Sequence, residues 1–592
     1  MKRKHGSFIK QKLGRLFLLC CFGAYDMAAA QAEWRDDWIV EDGFALTIDA
    51  DGFEFPSAIA FVPEPGGEPQ DPLYFVTELR GKIKVVTNDR TVHTFADAFF
   101  AFEPEAELPA GKGQAGLAGI CLEPKRGYVF VTFAYHDETG ILRNNIARFQ
   151  SVPGSFSLQP TERVEFTDVF SAYDTGLSHH IGGCQISSGQ LYVGVGDGWQ
   201  PKKAQELDAM RGKLLRMTLD GDPVEGNPFY VDDDRARARN YVWAYGLRNP
   251  FSLLVDGDRV IVADNGMDID RFLELDEGVN YLWDGDDRSI AANASMVFVP
   301  SIGPVQLARF DRKVTAGFPE ALDGAFFLAA STNKRGARAP GVFQVNYSLD
   351  TRRVESTPRY LVRFADERPQ AVAALGFGPD GLYFAPLYPD ASLGGSVIKI
   401  TYDPKLASNR PLVQIERPID VLLKNGCVGC HQVFGERGHG GTIAQKINET
   451  TLQILHDRLN SDGYEQWVAE LDKMDREPQA SFRAQRAEVL NATGWDRVQF
   501  WIQFRIQEPR FDNLHSQMPN NGVSAPEAEL MAKYFVSAME PETRYERLRA
   551  LLPVSFRLRH IAMSLIIGGA GGAAFLAFLR WMFGRWRGIR AR

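Results

Sequence analysis

The sequence predicts an all-β six-bladed β-propeller, followed by a small all-α domain and a C-terminal transmembrane helix. Three observations carry this reading. An apolar strand motif recurs six times at intervals near sixty residues, the composition turns helical beyond about residue 415, and residues 561–579 hold no charge. A chain of 592 residues is also too long for one ordinary core.

The repeat comes first, because self-similarity fixes architecture before single elements do. The six segments are Leu73-Tyr74-Phe75-Val76, Tyr128-Val129-Phe130-Val131, Leu191-Tyr192-Val193-Gly194, Val260-Ile261-Val262-Ala263, Ala325-Phe326-Phe327-Leu328 and Leu382-Tyr383-Phe384-Ala385. Each follows a tight turn rich in Gly or Asp, such as Asp256-Gly257-Asp258 or Pro379-Asp380-Gly381. Apolar and aromatic residues alternating between such turns mark strands. A period near sixty accommodates four strands with generous loops, so six units predict a propeller over residues 40–402. Polar residues close several of these strands, among them Glu78, Asp197, Asp264 and Ser331. They are expected at one mouth of the central channel. Residues 403–414 read as a linker, and residues 415–540 as the helical domain. There Ser524-Ala525-Pro526-Glu527 forms a capping box ahead of an apolar face of Leu530, Met531, Tyr534 and Phe535.

The termini speak for export. Lys2, Arg3, Lys4, Lys10, Lys12 and Arg15 precede a short apolar run, and Ala30-Gln31-Ala32 supplies a cleavage pattern, so residues 1–32 read as a signal peptide. The uncharged 561–579 stretch is just long enough to span a bilayer. Five arginines in the tail 580–592, with Trp581 and Trp586, place that end on the cytoplasmic side. The expected location is the periplasmic side of a bacterial inner membrane. Between the basic termini the chain carries a net charge near −19, which excludes nucleic acid as a partner.

Cys427-Val428-Gly429-Cys430-His431 is a C-x-x-C-H haem-attachment motif. The two thiols would add to the haem, and His431 would become its proximal iron ligand. Zinc would want four ligands, and a second cysteine pair is missing. Met518-Pro519, in a loop directly before the capped helix, supplies the sixth ligand in an order that resembles class I cytochromes c. Cys20 and Cys21 fall in the signal. Cys121 and Cys184 remain, either as a disulfide or as two buried thiols.

Over roughly residues 45–400 the chain resembles the glucose/sorbosone dehydrogenase family, six-bladed propellers that use pyrroloquinoline quinone (PQQ). The resemblance rests on several strings in this sequence. They are Gly113-Gln114-Ala115-Gly116, His180-Ile181-Gly182-Gly183, Tyr245-Gly246-Leu247-Arg248-Asn249-Pro250, Lys334-Arg335-Gly336 and Arg368. It implies His180 as the base that takes the hydroxyl proton and Arg248 as the cation beside the charge gained by the quinone. It also implies Gln114, Asn249, Lys334 and Arg368 as PQQ ligands, and a Ca2+ site near the carbonyls of Gly266 and Met267 and the carboxylate of Asp270. The chain departs from the family at Arg271, where an acid is usual, and at Gln370, the second position of an Arg-x-Arg motif.

Together these features lead to a membrane-anchored quinohaemoprotein, a PQQ-dependent sugar dehydrogenase acting on CH–OH groups. Its electrons would go to haem c and then to a downstream cytochrome or oxidase. The alternative is a non-catalytic propeller that binds carbohydrate or protein and tethers an electron-transfer cytochrome.

Overall fold

The computed structural model describes residues 34–97, 115–176, 178–331, 339–366, 368–389, 394–406, 418–434, 444–475 and 479–539. The signal peptide, most of the linker, the 561–579 segment, the basic tail, Gln114 and Lys334 lie outside these residues. No described helix is long and apolar enough to cross a membrane.

Six antiparallel sheets form a closed ring. Their innermost strands are Pro56–Phe61, Gly116–Glu123, Ile181–Ser187, Ser252–Asp256, Pro304–Arg309 and Val372–Gly378, each neighbouring the next around the channel. Every one of the six repeated sequence segments falls in the second strand of a blade, as in Pro72–Glu78, Tyr128–His136 and Gly381–Pro386. Pro72–Glu78 and Gly381–Pro386 are buried along their whole length. The reason is physical. A second strand has a blade against each face, so it reads as a continuous apolar run, whereas a half-solvated strand alternates. Aromatic rings fill the wedges between blades, and Phe95 of blade one meets Phe149 of blade two edge to face at 5.8 Å. Removing one such ring costs roughly 3–5 kcal/mol.

Polar and covalent stitches cross the blade boundaries near the axis. Gln306 Nε2 donates to Ile59 O at 2.8 Å, and Gln306 Oε1 accepts from Leu375 N at 2.9 Å, tying blade five to blades one and six. Cys121 and Cys184, on the inner strands of blades two and three, are joined as a disulfide with Cα atoms 5.8 Å apart. The disulfide alternative therefore holds. The ring closes where the N-terminal strand Phe44–Phe53 pairs with Gly395–Tyr402 as the outer strand of blade six. Trp38–Val40 adds a fifth strand to blade five.

The C-terminal unit is helical. Glu449–Leu459, Asp462–Asp472, Arg483–Asn491, Gly494–Gln507 and Ala525–Ser537 surround a core that includes Leu459, Val489, Val498, Met531 and Phe535. Both arms of the Ser524–Glu527 capping box form. This unit packs on the outer edge of blades four and five. Val297 N donates to Asn520 O at 2.7 Å, Thr357 Oγ1 to Glu527 Oε2 at 2.6 Å, and Arg353 lies 4.1 Å from the Phe482 ring centre.

Candidate functional site

In an up-and-down blade the start of strand one, the end of strand two and the end of strand four share one face. His179 and His180 precede the inner strand of blade three, while Arg248 and Asn249 precede that of blade four. Asp197 follows the second strand of blade three, and Asp264 ends that of blade four. Topology thus brings these residues to one mouth of the ring.

Two buried carboxylates organise them. Asp197 accepts Trp283 Nε1 at 2.8 Å and Trp199 N at 2.9 Å, and its Oδ1 lies 2.6 Å from His179 Nδ1. Its own N–H donates to Arg248 O at 2.7 Å, locking blade three to blade four. Burial pushes the Asp197 carboxyl up, but the bonds from His179, Trp283 and Trp199 pull harder and hold it below the ordinary carboxylate value. Asp264 accepts Asn249 N at 2.6 Å and Arg248 N at 3.1 Å, fixing the backbone from which both side chains project. The Arg248 guanidinium donates to Asn265 O at 2.6 Å and lies 5.6 Å from the Trp283 ring centre.

The sequence-predicted residues divide into groups. His180 is 3% exposed, and its Nε2 is 2.7 Å from Gly176 O. Its neighbour His179 holds the carboxylate and packs at 5.8 Å against Trp199, which is 66% exposed at the mouth. A histidine oriented by a carboxylate through one ring nitrogen keeps the other for proton transfer, and His179 stands in that arrangement with Asp197. Arg248 and Asn249 stand beside it. Arg368 instead pairs with Asp37 and Asp366, and Gln370 bonds the backbone of Tyr388. Sequence reasoning passed over His179; its one signal was the doubled histidine.

At the expected Ca2+ position the polar groups already have partners within the chain. Asp270 is buried, and its carboxylate is taken up by Gly266 N at 2.9 Å, Ile302 N at 2.6 Å and Gly303 N at 2.9 Å. Burial pushes this carboxyl up to about 6. Met267 is exposed, and its N–H turns to Asp287. Among the described residues no group of three or more His, Cys, Asp or Glu is arranged to hold a metal.

PQQ finds a partial fit. Asn249 Oδ1 is buried with no partner among the described residues, an acceptor that a heterocyclic N–H would satisfy, and Arg248 offers charge nearby. In the helical unit Cys427–Cys430 is a single helical turn whose thiols are free and half-buried. Burial pushes the Cys427 thiol up to about 12 and raises that of Cys430. His431 Nδ1 lies 2.7 Å from Gln445 O, which leaves Nε2 for a metal. Met518 packs against the same helical core. Two free thiols and an oriented imidazole on one turn suit covalent haem.

The comparisons with known proteins fall on residues of the ring. Residues 53–329 match the Glucose / Sorbosone dehydrogenase family model. Over 141 residues the chain is 30% identical to aldose sugar dehydrogenase YliI of Escherichia coli (strain K12), covering 23% of this chain and 37% of that protein. It is 26% identical over 224 residues to the HIPL1 protein of Arabidopsis thaliana, covering 32% of each. The match thus spans about a third of each of these relatives. Among solved structures, the apo soluble aldose sugar dehydrogenase of Escherichia coli aligns at 20% identity and a TM-score of 0.47, covering 61% of this chain and all of that one. The PQQ-bound aldose sugar dehydrogenase of Streptomyces coelicolor aligns at 20% and 0.44, covering 62% of this chain and all of that one.

Proposed function

We propose that the chain is a quinohaemoprotein sugar dehydrogenase. The propeller oxidises an aldose or related alcohol with PQQ, and electrons pass to haem c on Cys427 and Cys430, with His431 and Met518 as iron ligands. A downstream cytochrome or oxidase then accepts them on the periplasmic side of the membrane, to which residues 561–579 anchor the chain. The observation that carries this reading is the His179–Asp197 pair set against Arg248 across the blade three–blade four boundary.

PQQ, when bound, would supply the two-electron acceptor, and haem the one-electron relay. The residues of the chain do the rest. His179 accepts the hydroxyl proton at Nε2, and Asp197 stabilises the imidazolium so formed. Arg248 offsets negative charge as it develops, in a wall closed by Trp283. Asn249 Oδ1 accepts a donor from the cofactor, and Asp264 holds its backbone in place.

The test uses the full chain with haem attached, to which PQQ and a panel of aldoses are added while the haem absorbance is followed. Reduction that needs both PQQ and a sugar supports the proposal. A haem reduced by dithionite but by no sugar, with no PQQ bound, supports the binding-propeller alternative, which the pairing of Arg368 with Asp37 and Asp366 favours.

A further inference from the structure

Blade four carries a cation of its own where the family resemblance implies a metal. A hard divalent ion takes six or more oxygen ligands with little competition for them. Here the carboxylates of Asp264, Asp270 and Asp287 near the turn are already engaged, Asp287 by Met267 N and Asp268 N. Asp270 accepts three backbone N–H groups. Asp264, 1% exposed, accepts Arg248 N and Asn249 N, and its Oδ2 lies 2.5 Å from Arg271 Nη2. Arg271 is itself 3% exposed, and its Nη1 donates to Tyr281 O at 2.7 Å. The pair is built into the sheet, since Asp264 and Arg271 are directly opposite in the ladder of the second and third strands. A divalent ion entering here would face a guanidinium that cannot lose its proton.

We infer that Arg271 is the resident cation of this face and that the site is set without a divalent ion. Its guanidinium neutralises Asp264, and Asp264 in turn fixes the N–H groups of Arg248 and Asn249. Arg271 is therefore a positioning residue, acting through Asp264 and the backbone. This deepens the function proposed above and rests on it only for the identity of the cofactor; the effect of metal on melting needs neither PQQ nor sugar.

The test takes the full chain with haem attached, stripped with EDTA, and compares thermal unfolding and PQQ titration with and without excess CaCl2. The expected result is an unchanged melting midpoint and a PQQ Kd that differs by less than twofold. A midpoint that climbs by several degrees with Ca2+, or PQQ binding that tightens tenfold or more, overturns the inference. Arg271→Gln, which removes the fixed charge, should bind PQQ at least tenfold more weakly and melt at a midpoint that responds to Ca2+. Wild-type-like PQQ binding in that variant without metal also overturns it. Should Arg271→Gln not fold, the wild-type comparison decides alone. Absence of PQQ binding with metal-indifferent melting retained would sink the dehydrogenase reading and leave the cation assignment standing.

Discussion

His179 and His180 are adjacent, yet the structure gives them different work, and single substitutions should separate the two. His179→Ala removes the imidazole paired with Asp197 at 2.6 Å and leaves that buried carboxylate its bonds from Trp283 and Trp199. A positioned general base contributes about 10²–10⁴-fold, so kcat should fall by that factor, or about 3–5 kcal/mol of barrier. His180→Ala empties a buried position and frees Gly176 O, which His180 holds at 2.7 Å. That variant should lose roughly 2–4 kcal/mol of stability while its folded fraction keeps kcat within threefold. The assay is PQQ-dependent haem reduction at saturating sugar, with denaturant unfolding measured on the same preparations. An inactive but stable His180→Ala beside an active His179→Ala would refute the reasoning and return the base to His180.

Three further outcomes follow from the described geometry. Reducing Cys121–Cys184 releases a span of 63 residues, for which loop-closure entropy gives about 4 kcal/mol; the urea midpoint of the Cys121→Ala/Cys184→Ala double variant should fall accordingly. Gly426 has φ +68°, and a Cβ there would overlap Val299 of blade four, so Gly426→Ala should slow haem reduction by the propeller while activity with an artificial dye persists, as stopped-flow absorbance can check. Lys213 is buried with Nζ bonded to three backbone carbonyls, and burial lowers it to about 7. Its folded value lies below its unfolded one, so the unfolded chain binds the extra proton and stability rises as pH climbs from 7 toward 10.5. The gain is on the order of 5 kcal/mol, and Lys213→Met should flatten this part of the melting-versus-pH curve.

Much of the ring was legible because its signal is local. A second strand covered on both faces must be apolar throughout, and a turn residue must precede it, so Leu73, Leu191 and Leu382 announce their blades unaided. The Ser524 capping box is equally local. What escaped depends on contacts distant in sequence or on which way a side chain turns. Nothing in the string His179-His180 says that His179 takes φ +58° and so reaches Asp197 while His180 turns inward. Arg271 reads in the sequence as a lost acid; only the register opposite Asp264 reveals a paired cation. Cys121 and Cys184 meet because inner strands of successive blades are neighbours, a relation that spacing alone leaves open.

The seam of the ring carries a consequence for biosynthesis. Phe44–Phe53 is among the first strands made, yet its ladder partner Gly395–Tyr402 is made some 350 residues later. At about 5–20 residues per second of synthesis, that strand waits roughly 20–70 s with Leu46 and Phe53, both buried once the ring closes, still lacking their sheet. The blades between can stack in order as they appear, but the circle stays an open horseshoe with a sticky edge throughout this interval. Assembly of this protein is therefore vulnerable at its beginning rather than at its end, and a holdase that shields Phe44–Phe53 would act where the hazard is greatest.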